Sequence, residues 1–249
     1  MKQKRRTRQT TRSPWKPAPL ALVRQEASPS LRDAAYEAIK HRIITCVFKP
    51  GDYLNEAYVS NAIGIGRTPV HLAIDRLTKD GLLEVIPRKG IIVKPISLEA
   101  VMHIIEVRRL NEAYSARLAA ERADNGDLAA LSDILDRADA WTDVRNVEQM
   151  MLLDREFHIT LARAARNNVL AGILQNLHER SLRFWFISLT AAEHHREVQQ
   201  EHRAIYEAIR RHDADAAAKA ITDHIDSFRR TVATATRLSG VDRRVFRGK

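Results

Sequence analysis

Cysteine is nearly absent from this 249-residue chain: Cys46 stands alone. One thiol can form neither an intramolecular disulfide nor a thiolate zinc site, so the fold must rest on apolar burial, and a reducing cytoplasm is the expected compartment. Glycine and proline are scarce too, at 9 and 8 residues, as suits a mainly helical protein. No run of 18 apolar residues occurs, and the basic N-terminus leads into Ser13-Pro14-Trp15-Lys16-Pro17 rather than an apolar stretch. Membrane spanning and export are therefore both disfavoured. Hydrophobic residues make up 45% of the chain, too many for wholesale disorder, and the length allows two domains with separate cores.

What the chain does have is positive charge at its ends. The formal net charge is +10 and the pI is near 10.0. Residues 1–27 hold 8 Lys/Arg and 1 acid, 28–96 hold 10 and 7, 97–236 hold 18 and 22, and 237–249 hold 5 and 1. Basicity confined to the N-terminal third and a short tail points to a polyanion, nucleic acid first, with the acidic body employed otherwise. Residues 1–27 lack periodicity and are expected to be a disordered basic arm whose cations displace counterions from phosphates.

Order is expected from Ser30, where Ser30-Leu31-Arg32-Asp33 forms a capping box. The helix it starts carries Ala35, Ala38, Ile39, Ile43 and Cys46 on one face, and Pro50-Gly51 breaks the chain after it. A short segment Glu56 to Ile63, the turn Gly64-Ile65-Gly66, and a second periodic stretch with Val70, Ile74 and Leu77 read as helix, tight turn, helix. Thr68 suits an N-cap, Pro69 the first helical position and Gly81 the stop. The outer face of this second helix then presents Thr68, His71, Asp75 and Thr78, with Arg67 just ahead of it. Leu82 to Ile86 and Gly90 to Val93 are β-rich and joined by Pro87-Arg88-Lys89, a hairpin with two cations at its tip. This is the pattern of a winged helix-turn-helix, whose wing can reach phosphates or a minor groove.

The strings G-I-G-R-T-P-V-H-L-A-I-D-R-L from Gly64 and G-L-L-E-V-I-P-R-K-G from Gly81 closely resemble the DNA-binding domain of the GntR superfamily of bacterial transcriptional regulators. The resemblance covers roughly residues 30 to 96. The family pattern commonly reads S-R-T-P-V-R-E-A-L, with its arginine on DNA, so Arg67 and Thr68 carry over, while Gly66 stands for the usual serine and His71 for the usual arginine. The DNA-contacting set implied is Arg67, Thr68, His71, Arg88, Lys89 and Gly90.

From Ser97 onward the pattern is amphipathic and strandless. Helices are expected at Leu98 to Ala123, Asp127 to Trp141, Val147 to Arg166, Val169 to Leu189, Ala192 to His212 and Asp213 to Leu238. The fold class is thus mainly α: an N-terminal winged helix-turn-helix over 28–96 and an antiparallel bundle of about six helices over 97–238, flanked by the arm 1–27 and a basic tail 239–249.

That bundle resembles the FadR-like effector domain, the FCD type, through V-R-R-L-N-E at Val107, D-R-E-F-H at Asp154, E-H-R-A-I at Glu201 and D-H-I at Asp223. Asp154 and His158, four residues apart, leave one face of one helix, an arrangement that occurs both in metal sites and in ordinary helix-surface pairs. The resemblance implies that Asp154, His158, His202 and His224 hold a divalent metal. Three imidazoles and a carboxylate suit zinc as the default, with nickel, manganese or iron as alternatives. It further implies a small organic acid effector, with Arg108 as its counter-charge; Arg109 competes for that role, and a plain Arg108–Glu112 pair is the other reading. Asn168 and Arg183 are further effector candidates, and His178 is a spare one. Phe184-Trp185-Phe186 can wall a cavity or fill a core, and His194 and His195 have no role. The expected protein is a non-enzymatic, ligand-responsive repressor that binds palindromic double-stranded DNA as a homodimer on the nucleoid, away from membranes. A metal-dependent hydrolase or lyase with an accessory domain, and an architectural DNA binder with a structural metal, are the competing classes.

Overall fold

The computed structural model describes residues 30–144, 146–188 and 192–238. The arm 1–27 and the tail 239–249 lie outside the described residues. The helix α1 (Leu31–Ile44) starts as its sequence dictates: the Asp33 amide donates to Ser30 Oγ at 3.1 Å, and the Ser30 hydroxyl returns a bond to the Asp33 carboxylate at 2.6 Å. It buries Ala35, Tyr36, Ile39 and Ile43. Cys46 does not share that face, because the helix has already ended and Cys46 sits in a left-handed turn with φ 55°.

After β1 (Tyr53–Leu54), α2 (Glu56–Ile63) is capped by Asn55, whose Oδ1 accepts from the Tyr58 amide at 2.8 Å, and it stops at left-handed Gly64. Gly64 turns the chain so tightly that α3 (Arg67–Lys79) begins earlier than Thr68: Gly66 is its N-cap, and Arg67 and Thr68 are its first two residues. Pro69 becomes the third helical residue, which is tolerated because the first four amides of a helix have no intrahelical acceptor. No side chain caps this helix. Val70, Ala73, Ile74 and Leu77 turn inward against α1, and Gly81, with φ 77°, follows the helix end.

The strands β2 (Leu83–Ile86) and β3 (Gly90–Val93) form the expected hairpin, and β1 adds to its other edge, giving an antiparallel sheet in the order β1-β3-β2. Two residues carry no period-2 signal, so β1 was not expected from sequence. It pairs Tyr53 with Ile92 and Leu54 with Ile91. Arg88 and Gly90 both have positive φ at the wing tip, and a Cβ on Gly90 would meet the Leu54 carbonyl oxygen at 2.9 Å. The glycine is thus explained by backbone crowding, whatever its part in binding.

Six helices follow among the described residues: α4 (Leu98–Arg122), α5 (Asn125–Val144), α6 (Val147–Ala164), α7 (Asn168–Ser188), α8 (Ala192–Arg210) and α9 (Ala214–Leu238). Ser97 caps α4 through the Ala100 amide at 3.1 Å. The helix α4 packs along α9 and also meets α6, α7 and α8, while α5 covers α6 and α8. Ile105, Leu131, Phe157, Ile205 and Ile221 are central to this core. No described helix is long and apolar enough to cross a membrane.

Candidate functional site

In the winged domain, Arg67, Thr68, His71, Arg88 and Lys89 are all exposed. His71 is not free. Its Nδ1 lies 2.7 Å from Glu56 Oε1 and its Nε2 lies 3.8 Å from Asp75. The hydrogen bond to Glu56, then the charges of Glu56 and Asp75, raise its pKa above the ordinary 6.5. The sign follows: this pairing favours the fold below about pH 6.5, and its contribution disappears as pH rises through the elevated folded value. An NMR titration should place the His71 midpoint above 6.5, and Glu56→Gln should lower it; a midpoint indifferent to Glu56→Gln would refute the pairing.

In the bundle, α6 supplies Asp154 and His158 one turn apart, α8 supplies His202, and α9 supplies His224. One carboxylate oxygen and three imidazole nitrogens from these residues lie within 4.8 Å of one another, with the three histidines buried. His158 Nδ1 donates to Glu112 Oε2 at 2.8 Å, and His224 Nδ1 donates to Glu201 Oε2 at 2.8 Å. A carboxylate can only accept, so each Nδ1 carries a proton, and in the neutral ring Nε2 is then the atom with the free lone pair. These two Nε2 atoms face one another at 3.3 Å, and buried His202 Nε2 has no hydrogen-bond partner. Converging lone pairs without a proton between them are what a divalent cation resolves, and carboxylates behind the outer nitrogens are the usual means of orienting such ligands. The donor set therefore fits a metal ion.

Burial, reinforced by the nearby His224, lowers the pKa of His202 well below the ordinary value. Burial alone would raise that of Asp154, but His178, whose Nε2 lies 3.3 Å away, and the other neighbouring imidazoles hold it well below the carboxylate range. Both groups are thus in their ligating forms at neutral pH. Glu112, His158 and His178 make a second cluster of potential donors. Glu112 is already engaged by Arg108 Nε at 2.6 Å on one oxygen and by His158 on the other. It supports the first cluster rather than founding a second.

Beside the donors lies a cavity with a free interior of about 20 Å³, room for one water-sized group. Arg108, His178 and Ser181 are among its polar lining residues. Arg108 is buried: it pairs with Glu112, as the plain reading has it, and it also lines the cavity, where its Nη1 donates to Ser181 Oγ at 3.1 Å. Arg109 instead turns to Asp226. His178 lines the cavity, its Nε2 lies 3.3 Å from Asp154 Oδ2, and burial followed by repulsion from Arg108 lowers its pKa to about 4.

Two effector candidates are elsewhere. Asn168 is exposed at the start of α7 and does not line the cavity. Arg183 is buried beneath the winged domain, donates to the Lys94 carbonyl at 2.8 Å, and is pulled by burial to a pKa of about 10. Phe184 belongs to the bundle core, whereas the side chains of Trp185, Phe186, His194 and His195 lie outside those described. Sequence reasoning passed over Glu201 and the supporting role of Glu112. Their signals were adjacency to His202 and an i, i+4 spacing from Arg108.

Known proteins agree with this architecture. Residues 31–93 match the model of the bacterial regulatory proteins of the gntR family, and residues 103–227 match the FCD domain. The HTH-type transcriptional repressor RspR of Escherichia coli (strain K12) is 25% identical over 197 residues, 79% of this chain and 86% of that protein. The Nta operon transcriptional regulator of Aminobacter aminovorans is 30% identical over 133 residues, 53% of this chain and 63% of its own length. Among solved structures, E. coli McbR/YncC superposes with a TM-score of 0.75 at 20% identity, over 84% of this chain and 99% of that one. The chain is a transcriptional regulator of the gntR family, with a helix-turn-helix domain joined to an FCD domain.

Proposed function

We propose that this regulator binds a palindromic operator on the nucleoid as a homodimer, acts as a repressor, and is released or engaged by a small carboxylate sensed in the bundle. The observation that carries the reading is the joining of a four-donor cluster and a buried arginine in one cavity, on a chain whose other domain presents Arg67 at the start of an exposed helix. A bound divalent ion, zinc by default, supplies a Lewis-acid position for a carboxylate oxygen. Asp154, His158, His202 and His224 would hold the ion, Glu112 and Glu201 orient the rings of His158 and His224, and Arg108 would offer a donor to the second carboxylate oxygen.

Dimer formation is supported by α4, where Val107, Leu110 and Tyr114 recur at helical spacing and remain 44, 70 and 53% exposed. Leu110→Glu should convert the dimer to monomer in sedimentation analysis while leaving helicity intact; an unchanged sedimentation coefficient places the interface elsewhere.

On DNA, α3 enters the major groove and the wing carries Arg88 and Lys89 to phosphates or a minor groove. Arg67→Ala should cost about 1–3 kcal/mol and relax sequence preference if Arg67 reads a base, whereas loss of a phosphate contact weakens all sequences and reduces the salt slope by about one unit. Duplexes selected from a random pool supply the operator for this test. A folded Arg67→Ala protein that binds them like wild type would exclude this docking.

A further inference from the structure

The helix α7 has two working faces. His178, Ser181 and Leu182 line the bundle cavity. Asn176, Glu179 and Arg183, on a different face, hold the winged domain. Asn176 Nδ2 donates to the carbonyl of Asp80, the C-cap of α3, at 3.0 Å, and Arg183 donates to the Lys94 carbonyl. Glu179 is buried, and its Oε1 accepts from three sides. Lys40 Nζ of α1 approaches at 3.2 Å, Arg155 of α6 donates from Nε at 3.0 Å and also from Nη2, and Gln175 donates at 3.1 Å.

Each neighbour of Glu179 leads further. Arg155 directly follows Asp154, so it moves with the donor cluster. Lys40 is 1% exposed and its ammonium sits 4.5 Å from the Tyr36 ring centroid; Tyr36 Oη donates to Asp80 Oδ2 at 2.7 Å, and Arg76 of α3 stacks on the same ring at 3.8 Å. One buried carboxylate thus joins the helix bearing Asp154 and His158 to the end of α3. Lys40 Nζ also donates to Glu37 Oε1 at 2.9 Å, so Lys40 is held by two carboxylates, of which Glu179 is the buried one, and drawing a buried charge away from its partner is costly. Donor atoms spread over as much as 4.8 Å must draw together to hold one ion, and close-packed interiors pass such displacements on.

We propose that Glu179 is the positioning residue through which occupancy of the bundle cavity sets the placement of α1 and the end of α3. This rests on reading the donor cluster as a metal site and the winged domain as the DNA-binding part. Lys40→Met removes the α1 side of the joint with little change of volume, and Glu179→Gln removes its charge; neither residue contacts the donor cluster.

The test uses full-length, chelator-treated protein with zinc alone as the probe, read by hydrogen exchange and by affinity for a selected operator. In wild type, zinc should alter exchange in both α7 and α1 and shift operator affinity by about fivefold or more. Lys40→Met and Glu179→Gln should still take up zinc and respond in α7, yet lose the α1 response and the affinity shift, and Lys40→Arg should restore both. Loss of the α1 response in either folded variant supports the joint, so failure of one variant to fold leaves the other decisive. Transmission equal to wild type in the variants overturns the joint while the metal reading stands, as does zinc uptake by wild type with no response in α1. Absence of zinc uptake by wild type overturns both.

Discussion

His224→Ala protein is expected to purify without stoichiometric metal and to melt where chelator-treated wild type melts. The substitution removes one of four donors, each from a buried cluster whose Nε2 atoms already converge, and leaves Glu201 without the imidazole it orients. Too few donors then remain to retain a labile ion. A metal present at 100 times its dissociation constant stabilises the folded state by about 2.7 kcal/mol. For a chain of this length that corresponds to roughly 5–10 °C in melting temperature. Elemental analysis and melting with and without chelator decide the matter. Near-stoichiometric metal in His224→Ala, or none in wild type even after reconstitution, would remove these four residues from a ligand role.

The second large effect belongs to Glu112→Ala. Both carboxylate oxygens are used inside the bundle, by Arg108 and by His158. Truncation leaves the Arg108 guanidinium buried with only the Ser181 hydroxyl as a hydrogen-bond partner, at a cost of about 3–5 kcal/mol. Loss of the His158 orienter should weaken metal binding about 10–100-fold in addition. Replacing both charges, as in Arg108→Leu with Glu112→Leu, should recover much of the stability but not the metal affinity, because the buried charge disappears while the orienter stays absent. Burial alone would raise the pKa of Glu112, yet Arg108 and then His158 hold it well below the ordinary 4.5. Its contribution is therefore full above about pH 4.5 and fades as pH falls toward the folded value. Chemical denaturation at neutral pH and in mild acid measures both terms. A Glu112→Ala protein as stable as wild type would show that the pair contributes little.

How much of this was legible in the sequence depends on what kind of signal each feature leaves. Ser30 and Ser97 announce their helices because a cap is a local hydrogen bond three residues long. Thr68 is an N-cap residue by type, yet Gly66 holds that position and Thr68 is the second helical residue, because residue preference alone does not fix where a helix begins. In α7, helical spacing limits which candidates can share a face. His178 and Arg183 are five residues apart, about 140° around a helix, so they cannot both face one cavity. His178 faces it, and Arg183 serves the junction with the winged domain. What no local pattern could reveal is the joining of Lys40, Arg155 and Glu179, whose positions span three helices and both domains.

The bare start of α3 has a consequence for the order in which this protein becomes fully formed. Serine, threonine, aspartate or asparagine at an N-cap commonly adds about 0.5–2 kcal/mol over alanine by occupying an early amide. Here Gly66 supplies no such oxygen, and the helix leads with exposed Arg67 and Thr68. The first turn of α3 is therefore the part of the helix expected to form last and to fray first, and Gly66→Asp, by supplying that oxygen from the chain itself, should raise the melting temperature of the domain.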